Sequence, residues 1–101
     1  LVAEVTQMRV ERMPGGAIVH AVGLPPAQGY WAADLVAEND GVPVDGTLVL
    51  QFRAVPPATP LPAGTVPSRS LTAATFLSDQ DLAGVRAIIV RGALNQQASR
   101  R

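Results

Sequence analysis

The amino-acid sequence predicts an all-β fold, a two-sheet antiparallel sandwich of six to seven strands with one short helical turn. Hydrophobic residues recur at every second position in several separate runs, and this is the period of a strand. Clusters of Gly, Pro, Asn and Asp separate the runs, as residues of reverse turns do. No stretch keeps a helical period beyond a single turn. The pattern therefore favours short strands joined by turns.

Length and composition fit one domain covering residues 1–101. Hydrophobic residues make up 48% of the chain, but most of them are Ala and Val, and the aromatic residues number four: Tyr30, Trp31, Phe52 and Phe76. The core is therefore expected to be thin, so each large side chain should contribute more than usual to stability.

Four strands are predicted in the first half of the chain, at residues 5–13, 17–24, 30–38 and 47–55. In the first run Thr6, Met8 and Val10 share one face. The side chains expected to face the core are Ile18, Val22 and Leu24 of the second run, Trp31, Ala33, Leu35 and Ala37 of the third, and Leu48, Leu50, Phe52 and Ala54 of the fourth. Arg53 and Asp34 fall on the opposite face. One polar face per sheet is typical of antiparallel sheets.

A proline-rich segment follows at residues 56–67, and its five prolines exclude a central strand because each lacks a backbone donor. The segment is expected to be extended and to be a fixed part of the fold, with Leu61 and Val66 pinning it to the sandwich. We also expect it to shield the sheet edge that it covers.

The last third of the chain contains two further predicted strands, at residues 69–77 and 85–93; the second is expected to be central because it is apolar on both faces. Between them, residues 78–84 are expected to form one helical turn that begins at the N-cap Ser78 and ends at Gly84. Residues 95–101 either add a seventh short strand or fray. This pattern is typical of an immunoglobulin-like sandwich, and a small closed or half-open barrel fits it as well.

Five segments carry a resemblance to known proteins: Gly29-Tyr30-Trp31, Glu38-Asn39-Asp40-Gly41, Leu50-Gln51-Phe52-Arg53, Phe76-Leu77-Ser78-Asp79 and Leu82-Ala83-Gly84-Val85-Arg86. In these segments the chain resembles a family of small, uncharacterised bacterial envelope or lipoprotein-like domains with an immunoglobulin-like fold. The resemblance covers most of the chain and implies export to the periplasm or cell envelope. It implies no catalytic or ligand-binding residues, and the chain lacks the cysteine pair of antibody domains.

Charge and cysteine content limit the partners. Eight basic and eight acidic residues balance, every basic residue is arginine, and the arginines are spread along the chain, whereas a nucleic-acid binder usually has a basic face. Without cysteine, neither a disulfide framework nor a thiolate zinc site can form. No apolar run reaches the length of a transmembrane helix. Because the chain begins at Leu1 instead of methionine, we expect that upstream residues were removed. Whether they held a signal peptide or a lipidated cysteine is open, and contact with a membrane is expected only through such an upstream anchor.

Catalytic chemistry would have to use His20, the one histidine. A nucleophilic triad would combine it with Asp34 and one of Ser68, Ser70 and Ser78, but none of these serines lies in a nucleophile-elbow sequence. We therefore interpret His20 as a structural, partly buried strand residue that is dispensable for function. The sequence predicts no catalytic residues, no cofactor and no metal.

Two acidic groups invite a functional interpretation. Glu38 to Gly41, with Asp45 nearby, offers oxygens to calcium but lacks the spacing of a calcium-binding loop, and a reverse turn explains these residue types. Asp79 and Asp81 could suggest a glycosidase pair. Residues two apart on a helical turn point to different sides, however, so helix-end capping explains them better.

Adjacent aromatic residues on a strand face opposite sides. Trp31 is therefore expected to be buried between the sheets, and Tyr30 to lie on the outer face near Arg53.

The function that the sequence favours is a non-enzymatic interaction or structural module of the bacterial cell envelope, with an unknown protein partner or self-association. A small-ligand or carbohydrate binding domain that uses the face around Tyr30 and Arg53 is the alternative, and an enzyme accessory domain is the third hypothesis. Fold alone does not choose among them.

Overall fold

The computed structural model describes residues 1–100 as seven strands in two sheets. The strands are β1 (Glu4–Met13), β2 (Gly16–Leu24), β3 (Trp31–Ala37), β4 (Thr47–Val55), β5 (Leu71–Ser78), β6 (Ala87–Arg91) and β7 (Gln96–Arg100). A 3-10 turn spans Asn39–Gly41, and a four-residue helix, α1, spans Val66–Arg69. The strand order is β1-β2-β5 in the first sheet and β3-β4-β6-β7 in the second. The predicted all-β sandwich is confirmed.

Strand pairing departs from the prediction at one place. Among residues 1–100 four strand pairs are antiparallel, but β4 and β6 run parallel, with Leu48 opposite Ile88 and Leu50 opposite Val90. The reason is the chain path. After β4 the chain crosses to the first sheet, forms β5, and then returns, so β6 enters the second sheet in the same direction as β4. As predicted, β6 is a central strand.

The core lies between the sheets and is asymmetric. The second sheet contributes the large side chains Leu48, Leu50, Phe52, Ile88 and Val90, all buried. The inner face of β2 carries Ala17, Val19, Ala21 and Gly23 instead, so the prediction that Ile18, Val22 and Leu24 face the core is wrong; these three lie half-buried on the outer face. The apolar area that burial would remove from water favoured these three residues. The inner faces of the two sheets must, however, fill one shared space at native packing density. Because the second sheet already supplies bulk, small residues fit opposite it.

Gly23 shows how tight that fit is. A Cβ atom at this position would lie 2.7 to 3.0 Å from three ring atoms of Phe52. The Phe52 ring therefore occupies the volume that a side chain on β2 would otherwise fill, and it is fully buried. One large aromatic residue thus substitutes for several medium-sized ones in this thin core.

The open edges of β1 and β7 lie side by side and are joined by side chains. Thr6 is an extra residue in β1, a bulge that interrupts the register with β2 between Val5 and Gln7. At this bulge the backbone N–H of Val5 donates to Asn95 Oδ1 (2.7 Å), and Asn95 Nδ2 donates to the Val5 carbonyl (2.9 Å). Gln97 Nε2 donates to the same carbonyl. No strand ladder closes this gap among residues 1–100, so the fold is a sandwich rather than a closed barrel.

The proline-rich segment joins β4 to β5 at one end of the sandwich. The Gln28 N–H donates to the Pro62 carbonyl, and Leu61 packs against Gly29 although about half of its side chain stays exposed. These contacts are with the loop between β2 and β3, and not with a sheet edge. Val66 does not pin the segment: it is exposed and begins α1. The expected extended conformation over 56–67 therefore ends at Thr65, whose hydroxyl accepts from the Ser68 N–H as the cap of this unpredicted helix.

β5 ends at Ser78, and residues 79–84 form consecutive turns without a regular helix. Ser78 has its predicted role at their start. Its N–H donates to an Asp81 carboxylate oxygen (2.9 Å), and the Asp81 N–H donates back to the Ser78 hydroxyl (3.1 Å). This is the reciprocal arrangement of a capping box. Gly84 ends the segment with φ of 75°, in the left-handed region that favours glycine.

Candidate binding surface

Trp31 lies on the outer face of the second sheet, where 60% of it is exposed. The prediction that it packs between the sheets is wrong. Tyr30, just before β3, is half-buried. Arg53 is exposed on the outer face of β4, as predicted.

A β-bulge turns Trp31 outward. Trp31 pairs with Val55 and Asp34 pairs with Arg53, so Ala32 and Ala33 of β3 lie opposite the single residue Ala54 of β4. Ala32 has φ of 53°, which is left-handed and unusual for alanine. Strict alternation would put Trp31 on the same side as the buried Leu35. The extra residue reverses that relation, and re-aiming a side chain is a frequent role of bulges near functional sites.

The surface around the indole combines apolar and charged groups. Val55, across the strand pair from Trp31, is 40% exposed. One row further along the same face lie Arg53 and Asp34, a cross-strand pair between which no salt bridge forms. The Asp34 carboxylate accepts a hydrogen bond from the Leu35 N–H. Trp31, Val55 and Arg53 together are called the Trp31 platform below.

A hydrogen-bonded network braces the sheet beside this platform. One carboxylate oxygen of Glu38, just after β3, accepts from an Arg91 guanidinium N–H on β6 at 2.9 Å and from Gln51 Nε2 on β4 at 3.0 Å. It thereby connects β3, β4 and β6 on the outer face. This oxygen of Glu38 is therefore engaged within the sheet, away from the acidic turn that follows.

The exposure of Trp31 has a direct spectroscopic consequence. Because it is the only tryptophan, we expect native fluorescence close to that of a solvent-exposed indole and ready quenching by iodide. Trp31→Ala should lower the free energy of unfolding by about 2 kcal/mol, less than the roughly 3–5 kcal/mol typical of a buried tryptophan, since less than half of the side chain is buried. Blue-shifted emission protected from iodide would contradict this placement, and a urea titration measures the stability change.

His20 lies half-buried on β2, beside a shallow cleft of about 580 Å³ on the outer side of the first sheet. Its Nε2 is buried and has no hydrogen-bond partner among residues 1–100; it lies 3.8 Å from a carboxylate oxygen of Glu11 on β1. That carboxylate is also 3.7 Å from Arg9. Gln7 and Thr72 complete the polar wall of the cleft.

The residues weighed for a nucleophilic triad are not brought together. His20 pairs with Ala74 of β5, so Ser70 and Ser78 lie four residues away on either side, about 14 Å along the strand. Ser68 is in α1, where its hydroxyl donates to the Thr65 carbonyl, and Asp34 belongs to the other sheet. These three serines and Asp34 therefore do not form a triad with His20.

The acidic residues have structural partners. Asp81 caps Ser78, whose backbone N–H and then hydroxyl hold the pKa of the Asp81 carboxyl below its ordinary value. Asn39 and Asp40 have φ of 55° and 54°, so they form the left-handed turn that their residue types suggested. Among residues 1–100, no cluster of three or more His, Cys, Asp or Glu side chains is arranged to hold a metal ion.

The fold and these surfaces define a small all-β two-sheet domain with an exposed tryptophan on one sheet face. Within residues 1–100 no helix is both long and apolar enough to cross a membrane. The chain matches no model of a known protein family, and no curated protein or solved structure matches it.

Proposed function

We propose that this protein is a non-enzymatic interaction module of the bacterial cell envelope and that the Trp31 platform is its binding surface. The envelope setting rests on the sequence resemblance described above. The surface rests on one observation, which is the bulge at Ala32 that turns Trp31 to solvent.

The energetics of this arrangement support a role outside folding. An indole left so exposed forgoes on the order of 3 kcal/mol of burial free energy. A left-handed alanine adds roughly 1–2 kcal/mol of strain. Strict alternation without the bulge would instead turn the indole to the side of the buried Leu35. Strained residues of this kind cluster where a binding or catalytic group is positioned.

Binding fits the platform better than catalysis. Trp31 and Val55 cannot transfer protons or act as nucleophiles, and Arg53 stays charged. An exposed aromatic residue with an adjacent arginine has instead the composition of a binding hot spot. The same face also keeps the carbohydrate alternative open, with Trp31 in the role that the sequence had suggested for Tyr30.

Cosedimentation with isolated bacterial cell envelopes tests the proposal. We expect saturable binding by the natural chain and at least tenfold weaker binding by Trp31→Ala, a loss of about 1.4 kcal/mol. Phe76→Ala is the matched control because it removes an aromatic residue that is 52% exposed on the other sheet, and its binding should be unchanged. Equal binding by all three proteins would show that Trp31 does not form the contact.

A further inference from the structure

We propose that the Trp31 platform binds an acidic polysaccharide: a pyranose ring stacks on the indole, and its carboxylate pairs with Arg53. This inference rests on the proposed function, since it names the ligand class for the same surface.

The stacking half of the proposal follows from the geometry of Trp31 and Val55. They are directly paired across β3 and β4, so their Cβ atoms lie about 5 Å apart on one face. The indole and the smaller apolar side chain are both exposed on this face. The C–H bonds on the face of a pyranose ring carry partial positive charge, and they are attracted to the electron-rich face of an indole.

The charged half follows from Arg53. Its guanidinium makes no hydrogen bond or salt bridge with any part of residues 1–100. Other arginines of the domain are engaged: Arg91 with Glu38, Arg69 with the carbonyls of Pro25 and Gly64, and Arg86 with the Asp45 carbonyl. Arg53 thus keeps all its donors for a ligand, and a guanidinium can pair with a carboxylate through two parallel hydrogen bonds.

The spacing between the two halves suits one sugar unit. Arg53 is two residues before Val55 on β4, so the charged row lies about 7 Å from the apolar row. A carboxylate on the ring carbon next to the ring oxygen extends past the edge of a stacked uronic acid and reaches toward the next row. Arg53 requires a negative charge on the ligand. The neighbouring Asp34 carboxylate would repel this charge over β3, so the ligand carboxylate is placed over β4.

A peptide partner fits the same surface less well. Strand addition needs a free sheet edge, whereas Trp31 and Arg53 project from the face of a sheet. A helix needs a groove, and the best-formed clefts of the domain are lined by residues other than Trp31, Val55 and Arg53. Three side chains are also too few for the roughly 800 Å² per partner that a stable protein interface buries.

The fluorescence of the single tryptophan allows a direct test. The natural chain is titrated with the hexasaccharide of galacturonic acid and with its methyl ester, which keeps the ring but removes the charge. We expect a saturable change in Trp31 emission with the acid, and at least about tenfold weaker binding of the ester. Affinity for the acid should fall as the salt concentration rises.

Two arginine variants isolate the charged contact. Arg53→Gln should reduce affinity for the acid to that of the ester and leave ester binding unchanged. Arg12→Gln, which removes an exposed arginine of β1, should bind as the natural chain does. Trp31→Ala, followed by calorimetry because it lacks the fluorophore, should bind neither sugar. Equal affinity for acid and ester, or an Arg53→Gln variant that binds like the natural chain, overturns the inference.

Other outcomes separate the ligand class from the proposed function. Stronger binding to phosphatidylglycerol vesicles than to the hexasaccharide would overturn the polysaccharide in favour of an anionic lipid. A protein partner would replace the polysaccharide under three conditions. Envelope binding would depend on Trp31, the acidic hexasaccharide would not compete with it, and protease treatment of the envelopes would abolish it. In both cases the proposed function would stand. If envelope binding does not depend on Trp31, both proposals fail.

Discussion

Replacing Phe52 by alanine is expected to lower the free energy of unfolding by about 3–5 kcal/mol. Phe52 is the one aromatic residue that is fully buried among residues 1–100, and its ring fills the space opposite Gly23. The residues on the inner face of β2 cannot fill the resulting cavity, because their side chains are too short to reach into it. A loss of this size is a large share of the stability of a small domain.

Chemical denaturation monitored by circular dichroism measures this loss. Phe76→Ala is the control, because it removes the same side chain from a position that is half exposed, and we expect it to cost about 2 kcal/mol and to leave no internal cavity. A similar cost for both variants would show that the core is not centred on Phe52.

Substituting Gly16 by alanine should destabilise the fold by about 3 kcal/mol. A Cβ atom there would collide with the backbone carbonyl oxygen of Leu77 on the paired strand β5. A backbone atom held in a sheet cannot move aside as a flexible side chain can, so the strands would have to separate locally.

The neighbouring glycine supplies the comparison for Gly16. Gly15 has φ of 84° and nothing within 4 Å of its virtual Cβ, so Gly15→Ala should cost only the left-handed penalty of about 1–2 kcal/mol. Thermal or urea unfolding of both variants measures the difference. If Gly15→Ala proves the more damaging substitution, turn conformation and not the close strand approach dominates at this corner.

Most of the fold could be predicted because apolar and polar residues alternate along the strands, and this shows which side chains face the core and which face solvent. Leu48, Leu50 and Phe52 were placed correctly. The polar residues Gln51 and Arg53 alternate with them and mark the opposite, outer face of β4. In β2 both faces are apolar, so alternation gives no preference, and ranking by size chose the wrong face. The right choice depends on the opposite sheet, which a local pattern does not contain.

The candidate surface was harder to predict because it depends on one inserted residue. Alanine at position 32 carries no turn signal, unlike the Asn39 and Asp40 of the acidic turn, so nothing in the sequence around Trp31 indicates a bulge. After this bulge the predicted inward placement of Leu35 holds, and before it Trp31 changes face. Trp31 therefore took the exposed position that the sequence had not suggested for it, while Arg53 on the uninterrupted strand lies where it was predicted.

The amide of Asn95 also affects how this domain behaves at high concentration. By donating to and accepting from Val5, it occupies the backbone groups that an incoming strand from another molecule would need. Such a molecule would have to displace these contacts before it could extend the first sheet, and the Thr6 bulge beside them would disturb its register. Side-chain amides thus protect this border of the sandwich against the growth of intermolecular sheets.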